Sequence, residues 1–81
     1  MTRTIHIQYF AVLREQARRG QETRQSTAAT PTELYEEVRR EHGFSLPRTM
    51  LRVAVNDEFC DWSVPLQPGD TVVFIPPVAG G

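Results

Sequence analysis

The chain has 81 residues, 40% of them hydrophobic, with a formal net charge of −1 at pH 7, which suits one domain around a single modest core and gives no electrostatic case for nucleic acid or an anionic membrane surface. Met1-Thr2-Arg3-Thr4 lacks the apolar stretch of a signal peptide and no apolar run approaches about 18 residues, so a cytoplasmic protein with no membrane partner is expected. The single Cys60 excludes an internal disulfide and suits a reducing compartment.

Residues 4–10 alternate, with Ile5, Ile7 and Tyr9 on one face and His6, Gln8 and Phe10 on the other, the signature of a strand. Ala11 to Arg19 reads as a short helix burying Leu13 and Ala17. Arg18 and Arg19 fall in its last turn, where cations suit the helix dipole, and Gly20 follows as the closing residue. Residues 22–27 are polar but β-tolerant, an edge strand at most. Thr30-Pro31-Thr32-Glu33 is the clearest helix start: Thr30 as N-cap, Pro31 in the first position and Glu33 completing a capping box. That helix runs to about His42, burying Leu34, Tyr35 and Val38, and Gly43 ends it. Leu51 to Asn56 is a third strand with Leu51, Val53 and Val55 on one face; Asn56-Asp57-Glu58 turns the chain, and Phe59-Cys60 makes a brief return strand. Gln67-Pro68-Gly69-Asp70 is a strong turn signal before the last strand, Thr71 to Ile75. The order implies an α+β domain, a mixed sheet crossed by one main helix.

Pro76 and Pro77 stop the last strand, since neither donates a ladder hydrogen bond and each fixes φ near −65°. The remaining Val78-Ala79-Gly80-Gly81 is thin and ends on a glycine carboxylate. Residues 76–81 are expected to project from the domain by up to about 20 Å, at roughly 3.3 Å per residue. Terminal glycines are commonly frayed ends, but a proline-stiffened base under a tip without side chains is also built to enter a narrow cleft. The carboxylate of Gly81 is a poor electrophile as it stands. Attack on a nucleotide phosphate would convert it to an acyl-adenylate, open to a sulfur or nitrogen nucleophile.

The alternation also leaves a second apolar set. Val72 and Phe74 share the helix-facing side of the last strand, whereas Val73 and Ile75 join Phe10 and Phe59 on the face that no helix covers. A contiguous apolar patch beside the tail root is expected to be a partner surface, against the plainer reading that Phe59 plugs the edge of the core. Other candidates carry less. Cys60 has no histidine near it in sequence, so a small half-buried apolar role outweighs a sulfur relay. His6 and His42 are far apart with no second ligand cluster, so no metal is expected. Asp57, Glu58 and Asp61 read as a solvated acidic turn, with docking against a basic partner rim as the alternative. All nine basic residues are arginine, either compositional drift or an advantage to a chain that carries an activated acyl group and no side-chain amine.

The chain resembles ubiquitin-like β-grasp proteins, and more narrowly the small subunit of molybdopterin synthase. The residues that carry the resemblance are Tyr9-Phe10-Ala11-Val12-Leu13-Arg14-Glu15, Ala54-Val55-Asn56, Pro65-Leu66 with Gly69-Asp70, and Phe74-Ile75-Pro76-Pro77-Val78-Ala79-Gly80-Gly81. These anchors span nearly the whole chain, and the terminal motif is the most specific. Ile75 stands where many relatives have a second aromatic, and residues 21–29 match poorly.

The resemblance implies a single β-grasp domain over residues 1–81 and a sulfur-carrier role in molybdenum cofactor biosynthesis. Gly81 would be adenylated by an activating enzyme that uses ATP, converted to a thiocarboxylate, and would donate sulfur to a pterin precursor. Gly80, Ala79, Val78, Pro77 and Pro76 would position that tip. Phe10, Phe59, Val73 and Ile75 would dock on the large catalytic subunit, in a heterotetramer. The chain would be a donor subunit with no bound cofactor of its own, not an enzyme alone. Three other readings share parts of the sequence: a carrier for thiazole, cysteine or tRNA thiolation, a protein modifier linked through Gly81, and an interaction domain with an inert tail.

Overall fold

The computed structural model describes residues 2–77. Its elements are β1 (Arg3–Tyr9), α1 (Ala11–Ala17), β2 (Gln21–Ser26), α2 (Pro31–His42), a single 3₁₀ turn (Arg48–Met50), β3 (Arg52–Val55), β4 (Glu58–Phe59) and β5 (Thr71–Ile75). The strands form one sheet in the order β2-β1-β5-β3-β4. β1 and β5 pair in parallel at its centre, and the other neighbours are antiparallel. This is the ubiquitin-like β-grasp architecture, with α2 crossing one face.

The β1 alternation is borne out: Ile5 and Ile7 are fully buried and Tyr9 nearly so. They meet Val72 and Phe74 of β5, Val53 of β3 and the buried Leu34, Tyr35 and Val38 of α2 in one core. Its centre is aromatic. The Phe74 ring lies edge-on to Tyr35 at 5.1 Å between centroids and stacks on Trp62 at 5.8 Å. Such pairs add to the area they bury. The Tyr35 hydroxyl donates to Leu46 O at 2.6 Å, so the polar atom of this buried ring is satisfied.

The start of α2 is as expected, with one shift. Thr30 Oγ1 accepts from Glu33 N at 3.3 Å, while Glu33 Oε1 reaches Ala29 N at 3.0 Å instead of the N-cap amide. Gly43 closes the helix at φ +72°, a conformation that favours glycine. In α1 the sequence reading is corrected: the left-handed closing residue is Arg18 (φ +62°), not Gly20. The Gly20 carbonyl already accepts from Tyr9 N at 2.9 Å, so the chain must leave the helix earlier to enter the β1–β2 ladder. Arg18 and Arg19 consequently lie beyond the helix rather than in its last turn.

The β3–β4 hairpin is also one residue tighter than expected. Asn56 (φ +52°) and Asp57 (φ +69°) form the two-residue loop and Glu58 already pairs with Val55, the backbone of a type I′ turn, which favours Asn and Asp. Gly69 at φ +88° with Asp70 N bonded to Gln67 O has type II character. Asp70 joins the two turns by accepting from Asn56 Nδ2 at 2.9 Å and Gln67 N at 2.8 Å.

β2 is an edge strand, as expected, but its core-facing side is ionic. Glu22, Arg24 and Ser26 alternate toward α2, and the Arg24 guanidinium meets Glu37 (Nε–Oε2 2.9 Å), Glu41 (2.5 Å) and Glu22 (3.3 Å). His42 Nε2 lies 2.8 Å from Glu22 Oε1, which also accepts from the Tyr9 hydroxyl. Inward charges on an edge strand discourage pairing with another chain. Burial would raise the Glu22 carboxyl, but hydrogen bonds from Tyr9 and His42 and the charge of Arg24 outweigh it and hold it below its ordinary value. The hydrogen bond from Arg24 lowers Glu41 likewise.

An acid-sensitive clasp follows. Groups with depressed folded pKa values contribute stability above their unfolded value, about 4.3 for Glu, and lose it as pH falls through the folded value. Arg24→Met is expected to lower stability by about 1–3 kcal/mol, the partial exposure of the network reducing what a fully buried pair would lose. It should also flatten the decline in melting temperature below about pH 4.5. Thermal unfolding followed across pH checks both; an unchanged acid limb in the variant would remove Glu22 and Glu41 as its source.

Candidate functional site

The face of the sheet opposite α2 carries a continuous row set by register. Gln8 of β1 lies beside Val73 of β5, Val73 beside Ala54 of β3, and Ala54 beside Phe59 of β4. One step toward the end where β5 leaves the sheet, Ile75 lies beside Arg52. Tyr9 pairs with Phe74, so Phe10, the extended N-cap of α1, follows at that same end. The four residues expected to form the patch therefore share one face.

They are not equally available. Phe10 is 48% and Phe59 59% exposed, Ile75 is half-buried, and Val73 retains only 9%. Val73, with Ala54, is buried yet outside the main core cluster, so it offers a partner little surface. Phe59 stands clear of the core, which disfavours the edge-plug reading. Sequence reasoning missed Met50, 51% exposed, and Arg52, whose guanidinium carbon sits 4.0 Å over the Phe59 ring. For Arg52 the signal was present: it lies two residues before Ala54 in β3, opposite in parity to Val53. The β1–β2 half of this face is polar, with His6 Nδ1 bonded to Thr23 Oγ1 at 2.9 Å and Gln25 Nε2 donating to Thr4 Oγ1 at 2.7 Å.

The chain leaves β5 beside this patch. Pro76 is buried and only Pro77 is exposed, so Pro76 belongs to the packed body rather than to a projecting segment, a correction to the expected tail boundary. Val78, Ala79, Gly80 and Gly81 lie outside the described residues.

The remaining candidates separate clearly. Cys60 is half-buried with Sγ 3.9 Å from Val53 O. Burial, reinforced by Asp61 and Glu58, pushes its thiol pKa up, the opposite of what a reactive sulfur needs. His6 and His42 lie on opposite sides of the sheet. The fold nevertheless assembles a grouping that the sequence did not reveal: ligand atoms of Glu22, Glu41 and His42 lie within 4.8 Å of one another. Arg24 already contacts both carboxylates, so a guanidinium supplies the positive charge there. No helix among the described residues is long and apolar enough to cross a membrane.

A five-stranded mixed sheet clasping one main helix defines a ubiquitin-like β-grasp protein. Residues 7–81 match the ThiS family model, and the chain belongs to the ThiS family of ubiquitin-like sulfur carriers. It is similar to a Pyrococcus furiosus protein provisionally assigned as subunit 1 of molybdopterin converting factor (26% identity, TM-score 0.76, covering 94% of this chain and 99% of that one). It is also similar to a chain in the Helicobacter pylori complex of subunits 1 and 2 of molybdopterin-converting factor (25% identity, TM-score 0.65, 96% and 99% covered). Small archaeal modifier protein 1 of Haloferax volcanii shares the fold (18% identity, TM-score 0.77, 94% and 99% covered).

Proposed function

We propose that this chain is the sulfur-carrier subunit of a molybdopterin synthase, with Gly81 as the reacting residue. The observation that carries the reading is the continuity of β5 into Pro76-Pro77-Val78-Ala79-Gly80-Gly81 at the end of the sheet where Phe10 and Ile75 lie. A partner seated on the outer face would receive the tail from an adjacent root. The likeness to a chain solved in complex with subunit 2 of molybdopterin-converting factor supports a large-subunit partner.

In this mechanism an adenylating enzyme presents ATP to the Gly81 carboxylate. A carboxylate oxygen attacks the α-phosphate, pyrophosphate leaves, and the acyl carbon becomes electrophilic. A sulfide-level sulfur nucleophile attacks the acyl carbon, the C–S bond forms as the bond to AMP breaks, and the thiocarboxylate left is anionic at neutral pH and nucleophilic at sulfur. The missing side chains of Gly80 and Gly81 let that tip enter a narrow site. The domain supplies recognition and the partner supplies the site where the pterin precursor accepts sulfur.

Protein purified from cells lacking the acceptor subunit is expected to contain a species heavier by the difference between sulfur and oxygen, located on the C-terminal peptide by mass spectrometry. Adding it to the large subunit and precursor should return the carboxylate mass as dithiolene appears. Transfer to a different acceptor, with none to the pterin, would move the chain to another sulfur pathway. Gly81 in amide linkage to lysines of other proteins would make it a modifier; the chain has no lysine of its own to confuse that assay.

A further inference from the structure

The first residue of β3 stands beside the last residue of β5: Arg52 is the ladder neighbour of Ile75. Its side chain is exposed, makes no ion pair among the described residues, and lays its guanidinium 4.0 Å over the Phe59 ring. Val78 to Gly81 follow Pro77 in the sequence, a contour of about 13 Å at roughly 3.3 Å per residue. Position 52 is therefore within reach of Gly81. The beginning of β1 is not. β1 and β5 run in parallel with His6 beside Thr71, and two steps from Thr4 to His6 plus four from Thr71 to Ile75 separate the two levels. Thr4 and its β2 partner Gln25 thus lie about 20 Å back along the sheet, farther than that contour.

We infer that Arg52 is a specificity residue of the activated chain: it places positive charge beside the root of the tail with no nitrogen able to capture the acyl group of Gly81. The inference rests on the reading that Gly81 is adenylated. An acyl-adenylate is open to nitrogen as well as to sulfur. A lysine amine titrates near 10.4, so about one in a thousand is unprotonated near pH 7.4. A guanidinium titrates at about 12.5 or above, which leaves fewer than about one in a hundred thousand, and its lone pairs are delocalised. A short tether holds its ends at effective concentrations on the order of millimolar, so even a small free fraction of amine at position 52 would compete with a dilute sulfur donor. The amine nitrogen would attack the Gly81 carbonyl carbon, the C–N bond forming as the bond to AMP breaks, with its proton passing to solvent. The product is a lactam, one water lighter than the free carboxylate and closed to sulfur. Arginine removes this branch while keeping the charge and the stack on Phe59. All nine basic residues of the chain are arginine, and position 52 is the one that the ladder fixes beside the end of β5.

The test uses the full chain with a thioester on Gly81, an activated acyl group that needs no enzyme, beside the same chain incubated with ATP, sulfide and the adenylating enzyme of its own organism. In the thioester form Arg52→Lys is expected to close the lactam about tenfold faster than Gln25→Lys. Mass spectrometry reads this as loss of the thiol and a branched peptide joining residue 52 to Gly81. The wild type and Arg52→Gln should only hydrolyse. In the enzymatic arm Arg52→Lys should yield less thiocarboxylate than the wild type as the same lactam appears. Equal lactam rates for Arg52→Lys and Gln25→Lys overturn the role of Arg52 and leave the carrier reading standing. So does an Arg52→Lys chain that is adenylated and gives full thiocarboxylate without lactam. A wild-type chain that is not adenylated overturns the carrier reading and the role of Arg52 together. Matching melting temperatures across the variants separate these results from loss of fold.

Discussion

Deletion of Gly81 is expected to abolish adenylation and sulfur transfer while leaving the thermal unfolding midpoint where it was. Among the described residues Pro76 is buried and Pro77 exposed, and a glycine has no side chain to bring to a core. The carbonyl proposed to react, by contrast, is that of Gly81 alone. Adding one residue after Gly81 should be as damaging, because it displaces that carbonyl by about 3.3–3.6 Å, and a misplacement of about 1 Å from a reactive geometry already costs on the order of a hundredfold in rate. Adenylation with ATP and melting curves on the full, truncated and extended chains decide the matter. A truncated chain that still supports sulfur transfer would sink the assignment of Gly81.

The second large effect separates two neighbours in one strand. Phe74 is fully buried between Tyr35 and Trp62, and Phe74→Ala is expected to remove about 3–5 kcal/mol, a large share of the roughly 5–15 kcal/mol that holds a domain folded. Ile75 points the other way, half-buried on the outer face. Ile75→Asp should weaken partner binding about ten- to hundredfold, the equivalent of the 1.5–3 kcal/mol gained on burying such a side chain. Its effect on stability should be much smaller, since the new carboxylate would sit beside Arg52, its ladder neighbour. Calorimetric titration with the large subunit and circular-dichroism melts distinguish the two. An Ile75→Asp chain that binds normally, or fails to fold, would withdraw the outer face as the docking surface.

Strand and helix positions were legible wherever a local rule had one physical solution. The parity of Ile5, Ile7 and Tyr9, the Thr30–Pro31 start of α2 and the Pro68–Gly69 turn each depend on neighbours within a few residues, and each appears as expected. Readings slipped where a distant partner had a claim on the same atoms. The Gly20 carbonyl is committed to Tyr9 N, and this moved the end of α1. β2 read weakly because its inward positions are Glu22, Arg24 and Ser26, whose partners lie on α2.

Within the site the same division holds. The sequence by itself determined the parity that puts Phe10, Phe59, Val73 and Ile75 on one face, and it holds the Gly80-Gly81 pair on which the proposed chemistry rests. These depend on residue type and on spacing along the chain. Only the tertiary structure decided that Val73 is nearly buried, that the Arg52 guanidinium lies over the Phe59 ring, and that Pro76 is packed. Burial depends on which strands become neighbours, and the parallel pairing of β1 with β5 brings together residues from opposite ends of the sequence. No local pattern encodes that pairing: it is favoured by the single core shared by β1, β5 and α2.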